Sequence, residues 1–131
     1  MTAKANPSLV LDSSALILFL NDALPEHAVA LLQDHLQRGQ ALISSIVRAE
    51  VLAWSGHTTK SLAVTMDLLD ICQLIPVGKT VADEAARIRR ETGLKLPDAL
   101  IAATALLQPA RLLTANSKDF RRVPGLVLRE I

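Results

Sequence analysis

Four acidic residues of this chain stand where packing or solubility explains a charge poorly: Asp12, Glu50, Asp98 and Asp119. Asp12 directly follows an apolar run, and Asp98 is the single charge of a long apolar segment. On a helical wheel Glu50 falls at the centre of an apolar arc, and a glutamate buried there is costly unless it binds a cation. Ordinary helix-start or solvent-facing positions account for most of the other acids: Glu26, Asp34, Asp67, Asp70, Asp83, Glu84 and Glu91.

Each of the four acids also has a structural alternative. Asp12 can cap the helix that follows it, although two serines come next and offer capping oxygens of their own. Glu50 can belong to a buried ion pair. Asp98 falls in the first turn of a helix, where the helix dipole stabilises a carboxylate. Asp119 can be a loop or helix-start residue.

Taken together, the four acids predict a metal site, because they come from different elements and can meet at one end of a parallel sheet. Clustered carboxylates repel one another and need divalent cations to coexist at neutral pH. Oxygen ligands without a His or Cys set favour Mg²⁺, for which Mn²⁺ can substitute, and Mg²⁺ takes only one or two protein carboxylates. We therefore expect Asp12 and Asp98 to ligate Mg²⁺, while Glu50 and Asp119 hold water or a second ion.

The composition of the chain limits the classes of function. Its 131 residues are half hydrophobic and carry a formal net charge of +1, which fits a folded domain and not a protein that coats nucleic acid with charge. Phe19, Trp54 and Phe120 are the only aromatic residues, too few for the stacking platform of an RRM or OB-fold. A single cysteine, Cys72, excludes a disulfide framework and is expected to be buried. The histidines are expected on polar helix faces or near a turn, without chemistry: His27, His35 and His57.

The hydrophobic pattern alternates between strands and helices. Strands are predicted at residues 8–11, 41–43, 74–77 and 111–114 and, at an edge, 126–128. Helices are predicted from Ser13 or Ser14 to Leu20, from Pro25 to Gly39, from Ser44 or Ser45 to about Ser55, at 60–71, from a Thr80–Asp83 capping box to Gly93, and from Pro97 to Leu107. This order implies a parallel sheet covered on both faces, with its functional crevice at the carboxyl ends of the strands.

The amino-terminal segment from Met1 to Ser8 is short and polar, so we expect no signal peptide. No apolar stretch reaches the roughly 20 residues that a membrane span requires. We therefore expect a cytoplasmic protein without a membrane partner.

At these same acids the sequence resembles the PIN-domain ribonucleases, and among them the VapC-type toxins of bacterial toxin–antitoxin pairs. The matching pieces are residues 11–16 (LDSSAL), 43–51 around Glu50, 96–105 (LPDALIAATA), and 113–120 (LTANSKDF) with 123–126 (VPGL). They cover nearly the whole chain in the expected order. Many relatives have an aspartate where this chain has Asn116, which leaves open whether Asn116 or Asp119 faces the metal.

The resemblance implies one PIN-like domain over residues 1–131, a three-layer α/β/α sandwich with a central parallel sheet. It implies an endoribonuclease that cuts RNA with Asp12, Glu50, Asp98 and Asp119, forms a homodimer and is inhibited by a cognate antitoxin. A metal held there would polarise the scissile phosphate and activate water for in-line attack. Thr114 and Asn116 are expected to orient substrate or water. Candidate phosphate contacts are basic residues near the acids: Arg48, Lys118, Arg121 and Arg122.

Three other functions are alternatives to this one. A phosphoacceptor receiver domain is disfavoured because Glu50 falls inside a helix and no aspartate ends the central strand that would carry the phosphoacceptor. A haloacid-dehalogenase-type phosphatase is disfavoured because Asp12 lacks a second aspartate two positions later. A non-catalytic PIN-like module that binds RNA or protein stays open, although the retention of all four acids argues against it.

Overall fold

The computed structural model describes residues 7–131, in which five strands form one sheet. The strands are β1 (Leu9–Leu11), β2 (Ala41–Ser44), β3 (Gln73–Ile75), β4 (Arg111–Thr114) and β5 (Leu128–Glu130). The helices are α1 (Ser13–Leu20), α2 (Glu26–Gln37), α3 (Ser45–Leu52), α4 (Thr59–Ile71), α5 (Lys79–Thr92), α6 (Leu96–Leu107) and α7 (Ser117–Phe120). The strand order is β3-β2-β1-β4-β5, and every pairing is parallel. The predicted α/β fold with a central parallel sheet is confirmed.

The central strands are buried on both faces of the sheet. Leu9, Val10 and Leu11 of β1 are fully buried although alternate residues of a strand point to opposite faces. Helices must therefore cover each face, as all-parallel sheets require. Among these helices, α6 packs against β1, β2 and β4, and α5 packs against α6. The all-round apolar character of α6 follows from this position between the sheet and a second helix.

The predicted starts of α1 and α3 at the serines and the predicted end of α5 at Gly93 hold, whereas the predicted start of α5 does not. Gly93 ends α5 with a φ of 76°, a left-handed conformation that favours glycine. The Thr80–Asp83 capping box is wrong: α5 begins earlier, after Gly78, without a side-chain cap. Asp83 instead bonds to the Lys79 ammonium at 3.2 Å, a pair one helical turn apart.

Three elements also differ in extent. Helix α3 ends at Leu52 and not near Ser55, and β3 begins at Gln73. Strand β5 begins at Leu128, two residues after the predicted start of the edge strand. The expectation that His35 lies on a polar helix face is wrong. His35 is 3% exposed and lies at the amino-terminal edge of the sheet. Its Nδ1 lies 2.8 Å from the Leu31 carbonyl, and its Nε2 lies 3.2 Å from Arg111 Nη2.

Two expectations concern the amino-terminal segment and the membrane. Residues 1–6, most of the segment expected to carry no signal peptide, lie outside the described residues. Within residues 7–131, no helix is both long and apolar enough to cross a bilayer. Cys72 is buried, as predicted, and burial raises the pKa of its thiol to about 11.

Candidate active site

The sheet changes direction between β1 and β4, and the predicted acids gather at that point. From β1 the chain adds β2 and β3 on one side, then returns to add β4 and β5 on the other. In parallel sheets, ligands bind at the carboxyl ends of the strands where the order reverses in this way. Asp12 follows the last residue of β1, and Thr114 is the last residue of β4. The two residues thus face each other across the switch point.

Asp12 is the most firmly held of the four acids. It is 5% exposed, and its Oδ1 accepts hydrogen bonds from Ser14 Oγ at 2.7 Å and Ala15 N at 2.9 Å. Its Oδ2 accepts from Thr114 Oγ1 at 2.5 Å. Burial raises the pKa of the Asp12 carboxyl, repulsion from Glu50 adds to that effect, and the three hydrogen bonds oppose it. Asp12 is also the N-cap of α1, so the expectation that the serines would take over this cap is wrong.

The loop between β4 and α7 brings two more predicted residues to the site. The Thr114 hydroxyl accepts a hydrogen bond from Asn116 N at 2.8 Å while it donates to Asp12. Asn116 Nδ2 donates to Asp119 Oδ2 at 3.1 Å, and Arg122 lies 3.6 Å from Asp119 Oδ1. Asn116 and Asp119 therefore form one polar unit at the rim of the site.

Glu50 reaches the site from an exposed face of α3, which corrects its predicted burial. The buried residues of that helix are Val47 and Val51, whereas Ala49 and Glu50 are exposed. The Glu50 carboxylate accepts a hydrogen bond from Ser13 Oγ at 2.6 Å. The apolar arc that suggested burial lines an open groove in part, and Trp54 within it is 63% exposed.

Asp98 links the four acids into one cluster. It lies half-buried in the first turn of α6, directly after Pro97. Desolvation raises the pKa of the Asp98 carboxyl most, and repulsion from Asp12, Glu50 and Asp119 raises it further. Lys95 opposes this shift in pKa. Among residues 7–131 the Asp98 carboxylate has no hydrogen-bond or ion-pair partner, which leaves it available for a ligand.

The donor set suits a divalent cation. It consists of carboxylate oxygens, and one of these carboxylates is half-buried, unpartnered and repelled by the other three. Over the described part of the chain, no three acidic, His or Cys side chains are arranged to enclose an ion. An ion that needs only one or two protein carboxylates and otherwise keeps its waters fits this arrangement, and Mg²⁺ is such an ion.

Three of the four predicted phosphate contacts form ion pairs with acidic side chains. Arg48 pairs with Asp70 at 2.9 Å, and Arg121 pairs with Glu130 at 2.5 Å. Arg122 stays beside the site through Asp119 and also donates to the Thr92 carbonyl at 3.0 Å. Lys118 is exposed.

Sequence reasoning missed three polar residues of the site. Ser13 and Ser14 bind acids through their hydroxyls, whereas they were considered only as caps. Lys95 immediately precedes α6 and interacts with the charge of Asp98. The one available signal was their position within three residues of Asp12 or Asp98.

An open groove of about 710 Å³ runs along α1, α3 and α4 and reaches one of the four acids, Glu50. Glu50 lies on its wall, beside apolar side chains that are largely exposed. These are Ile17 at 47%, Trp54 at 63% and Val64 at 52% exposure. We call this feature the α1–α3–α4 groove. It joins a large apolar surface to the acidic cluster.

Known proteins resemble this chain in sequence and in fold. The family model described as PIN domain matches residues 9–126. Ribonuclease VapC1 of Rickettsia felis is 34% identical over 99 residues, which cover 67% of this chain and 74% of that protein.

Solved structures agree with the sequence comparison. A toxin–antitoxin complex from Klebsiella pneumoniae contains a chain that is 32% identical, with a TM-score of 0.78 over 95% of this chain and 100% of that one. DNA-bound VapBC from Salmonella typhimurium gives a TM-score of 0.82 at 21% identity, over 95% and 98% of the two chains. At that identity the second likeness concerns the fold alone.

Proposed function

The chain belongs to the PIN-domain family and is related to VapC-type proteins, and from that premise we propose that it is a metal-dependent endoribonuclease. One observation carries the proposal: Asp98, half-buried and unpartnered, is repelled by Asp12, Glu50 and Asp119 at the switch point of the sheet. Such repulsion is relieved when a cation binds. The name of the R. felis relative, a ribonuclease, supports RNA as the substrate.

We assign the direct metal contacts to Asp12 and Asp98. A bound Mg²⁺, or Mn²⁺ in its place, would supply Lewis-acid activation of the scissile phosphate and of water. Asp12 suits this role because its carboxylate is fixed by Thr114, Ser14 and the α1 backbone. Asp98 suits it because no protein group competes for its oxygens within residues 7–131.

The other two acids are assigned to water and substrate. Glu50 accepts one side-chain hydrogen bond, from Ser13, and Asp119 accepts one, from Asn116. Each carboxylate can therefore accept further hydrogen bonds. We infer that they orient water around the cation by accepting its hydrogen bonds. Thr114 would help to orient substrate or water through its hydrogen bond to Asp12, and Asn116 through its hydrogen bond to Asp119. Because Asn116 donates a hydrogen bond to Asp119, we propose that both belong to the site and that the Asp119 carboxylate would face a bound ion.

A cleavage assay tests the proposed activity. The purified protein is expected to cut RNA internally in Mg²⁺ or Mn²⁺ and to stop in excess chelator, with activity restored when the metal is returned. The matched control is Asp67→Asn, which removes an exposed carboxylate of α4 outside the acidic cluster. Undiminished cleavage in chelator would refute the metal mechanism, and a chain inert under all conditions would leave a non-catalytic PIN-like binding module.

We further propose that the chain is the toxin of a type II pair and binds a cognate antitoxin. The 32% identical K. pneumoniae chain belongs to a toxin–antitoxin complex, which supports such a partner. The α1–α3–α4 groove offers the docking surface, because it is largely apolar, open and includes Glu50 in its lining. An amphipathic segment with a basic side chain beside its apolar face matches that combination. We propose that the protein acts in the cytoplasm, where it would meet both RNA and an antitoxin.

Inhibition by the antitoxin tests the groove. Val64→Glu puts a charge on the groove wall formed by α4, a helix that carries none of the four acids. Antitoxin affinity should therefore fall while cleavage by the free protein is retained. Asp67→Ala, a change at an exposed position of the same helix outside the groove, is the control. If the antitoxin inhibited the wild type, Val64→Glu and Asp67→Ala equally, it would bind another surface.

A further inference from the structure

Ser13 and Ser14, the first two residues of α1, direct their hydroxyls to different partners. Ser14 Oγ donates to Asp12 Oδ1 at 2.7 Å and accepts from Ala115 N at 3.1 Å, so it ties the loop after β4 to Asp12. Ser13 Oγ donates to Glu50 Oε1 at 2.6 Å. Successive helical residues point about 100° apart. One turn of α1 can therefore hold two acids that arrive from separate elements.

Glu50 needs such a contact to stay in the cluster. Its side chain is long and flexible, and it lies on an exposed face of α3. Asp12 and Asp98 both interact unfavourably with its charge. Like charges favour conformers in which the carboxylate turns outward to water.

No other described residue opposes that outward movement by a hydrogen bond. Within residues 7–131, the Ser13 hydroxyl is the one hydrogen-bond partner of the Glu50 carboxylate. Arg48, the basic residue of α3, is occupied by Asp70 at 2.9 Å. Lys60 lines the same groove as Glu50 but forms no ion pair with it.

We propose that Ser13 is a positioning residue of the nuclease: its hydroxyl holds the Glu50 carboxylate toward Asp12 and Asp98. This inference rests on the proposed nuclease function and deepens it. Ser13 touches neither metal nor substrate in this account. It acts through Glu50, so its effect must vanish when Glu50 is absent.

A double-mutant cycle tests this dependence. Ser13→Ala should lower kcat about tenfold or more, because a misplaced group in an active site can cost up to about 100-fold. The KM for RNA should change little, since the phosphate contacts are untouched. Ser13→Thr keeps a hydroxyl at the same atom and should restore most of kcat. In a Glu50→Ala background, Ser13→Ala should have no further effect.

A second cycle uses a readout without metal or substrate. The same four proteins are melted in chelator, and the shift in Tm caused by Ser13→Ala should disappear once Glu50 is alanine. The matched control is Ser45→Ala, which removes the hydroxyl of the first residue of α3. That hydroxyl accepts from Val77 N at 3.1 Å, so its loss should lower Tm and leave kcat unchanged.

The outcomes separate the two proposals. An unmodified chain that does not cut RNA overturns the proposed function, and the role of Ser13 in it falls too. An active chain whose Ser13→Ala variant keeps its kcat overturns the role of Ser13 alone. So does a Ser13→Thr variant as slow as the alanine, or an effect on Tm that persists without Glu50.

Discussion

At the residue scale, the fold supports the four carboxylates of the cluster very unequally. Asp12 accepts hydrogen bonds from Ser14, Ala15 and Thr114. Glu50 and Asp119 each accept one from a neighbouring side chain, and Asp98 accepts none within residues 7–131. Asp98 is therefore the acid whose charge is least compensated by the protein. Its substitution is the most sensitive probe of whether the cluster binds a cation.

Asp98→Asn is expected to leave the stability of the metal-free protein unchanged or to raise it, because the variant removes one of four repelling charges. Mg²⁺ should stabilise the wild type by mass action and the variant much less, while RNA cleavage collapses. Thermal melts with and without Mg²⁺, beside a cleavage assay, provide the measurement. If Asp98 only stabilises the start of α6, Asp98→Asn should instead lower the free energy of unfolding by up to about 1 kcal/mol without metal. The Mg²⁺ response and RNA cleavage would then be intact.

Because the pKa of Asp98 is shifted, the effect of Asp98→Asn on stability should depend on pH. That pKa is raised in the folded protein, mainly by desolvation, from its ordinary value of 3.8. The folded state thus holds the proton more tightly than the unfolded chain, and the stability this confers is full below pH 3.8 and lost as pH rises through the higher folded value. In chelator, the advantage of Asp98→Asn over wild type should shrink as pH falls from 7 toward about 4. An advantage that is constant over this range would contradict the raised pKa.

The sequence identified the four acids but misjudged how Glu50 is presented. A helical wheel counts apolar neighbours and cannot tell a face that packs on the core from one that lines an open groove. Ala53 and Trp54 belong to the groove, so Glu50 among them faces water and the other acids. The roles of Ser13 and Ser14 were equally hidden, because hydrogen bonds across elements depend on packing that no local pattern encodes.

At the scale of elements, β1 and β4 are joined through side chains as well as through the sheet. The Thr114 hydroxyl at the end of β4 donates to Asp12 after β1 and accepts from Asn116 N. Thr114 is fully buried, so neither bond can be replaced by water without rearrangement. This contact sets the distance between the two strand ends that carry the site.

Thr114→Val, which keeps the shape and removes the hydroxyl, should lower the free energy of unfolding by about 1–3 kcal/mol, because a buried carboxylate oxygen loses its donor. Cleavage should fall as well, since Asp12 and the Asn116 loop lose a common anchor. Thr114→Ser retains the hydroxyl and should recover most of the activity. Urea unfolding and cleavage rates measure both effects, and a fully active, fully stable valine variant would refute the anchoring role.

The order and kind of elements were largely predictable, whereas their ends were not. Apolar runs such as residues 111–114 predict buried strands because both faces of a parallel sheet are covered. The start of α5 was missed because Gly78 gives no side-chain signal and Lys79 takes the carboxylate that was expected to cap the helix. Edge strands β3 and β5 are short and partly exposed, so their hydrophobic pattern is weak.

At the scale of the whole molecule, several large apolar side chains outside the groove are exposed. Examples are Ile71 at 60%, Leu74 at 47%, Leu96 at 49% and Leu107 at 43%. Exposed apolar surface beyond scattered residues is characteristic of association sites. The homodimer that the family resemblance implies stays a prediction, as does the extent of the domain over residues 1–131.

Light scattering of the isolated chain tests the dimer. We expect a mass twice that of one chain at micromolar concentration, because burying exposed apolar side chains between two copies is favourable. Leu96→Asp and Leu107→Asp, examined separately, should reveal which face of the molecule takes part by shifting the mass toward that of one chain. A monomer at all accessible concentrations would contradict the prediction.

The central claim is that Asp12 and Asp98 together bind a divalent cation in a PIN-domain nuclease. Its most direct test is the anomalous-scattering map of a crystal soaked in Mn²⁺, beside the map of an Asp98→Asn crystal treated in the same way. We expect a Mn²⁺ peak between the carboxylates of Asp12 and Asp98 that is strongly reduced in the variant. A Mn²⁺ concentration that supports RNA cleavage, yet gives no peak there or a peak that does not depend on Asp98, would contradict the account.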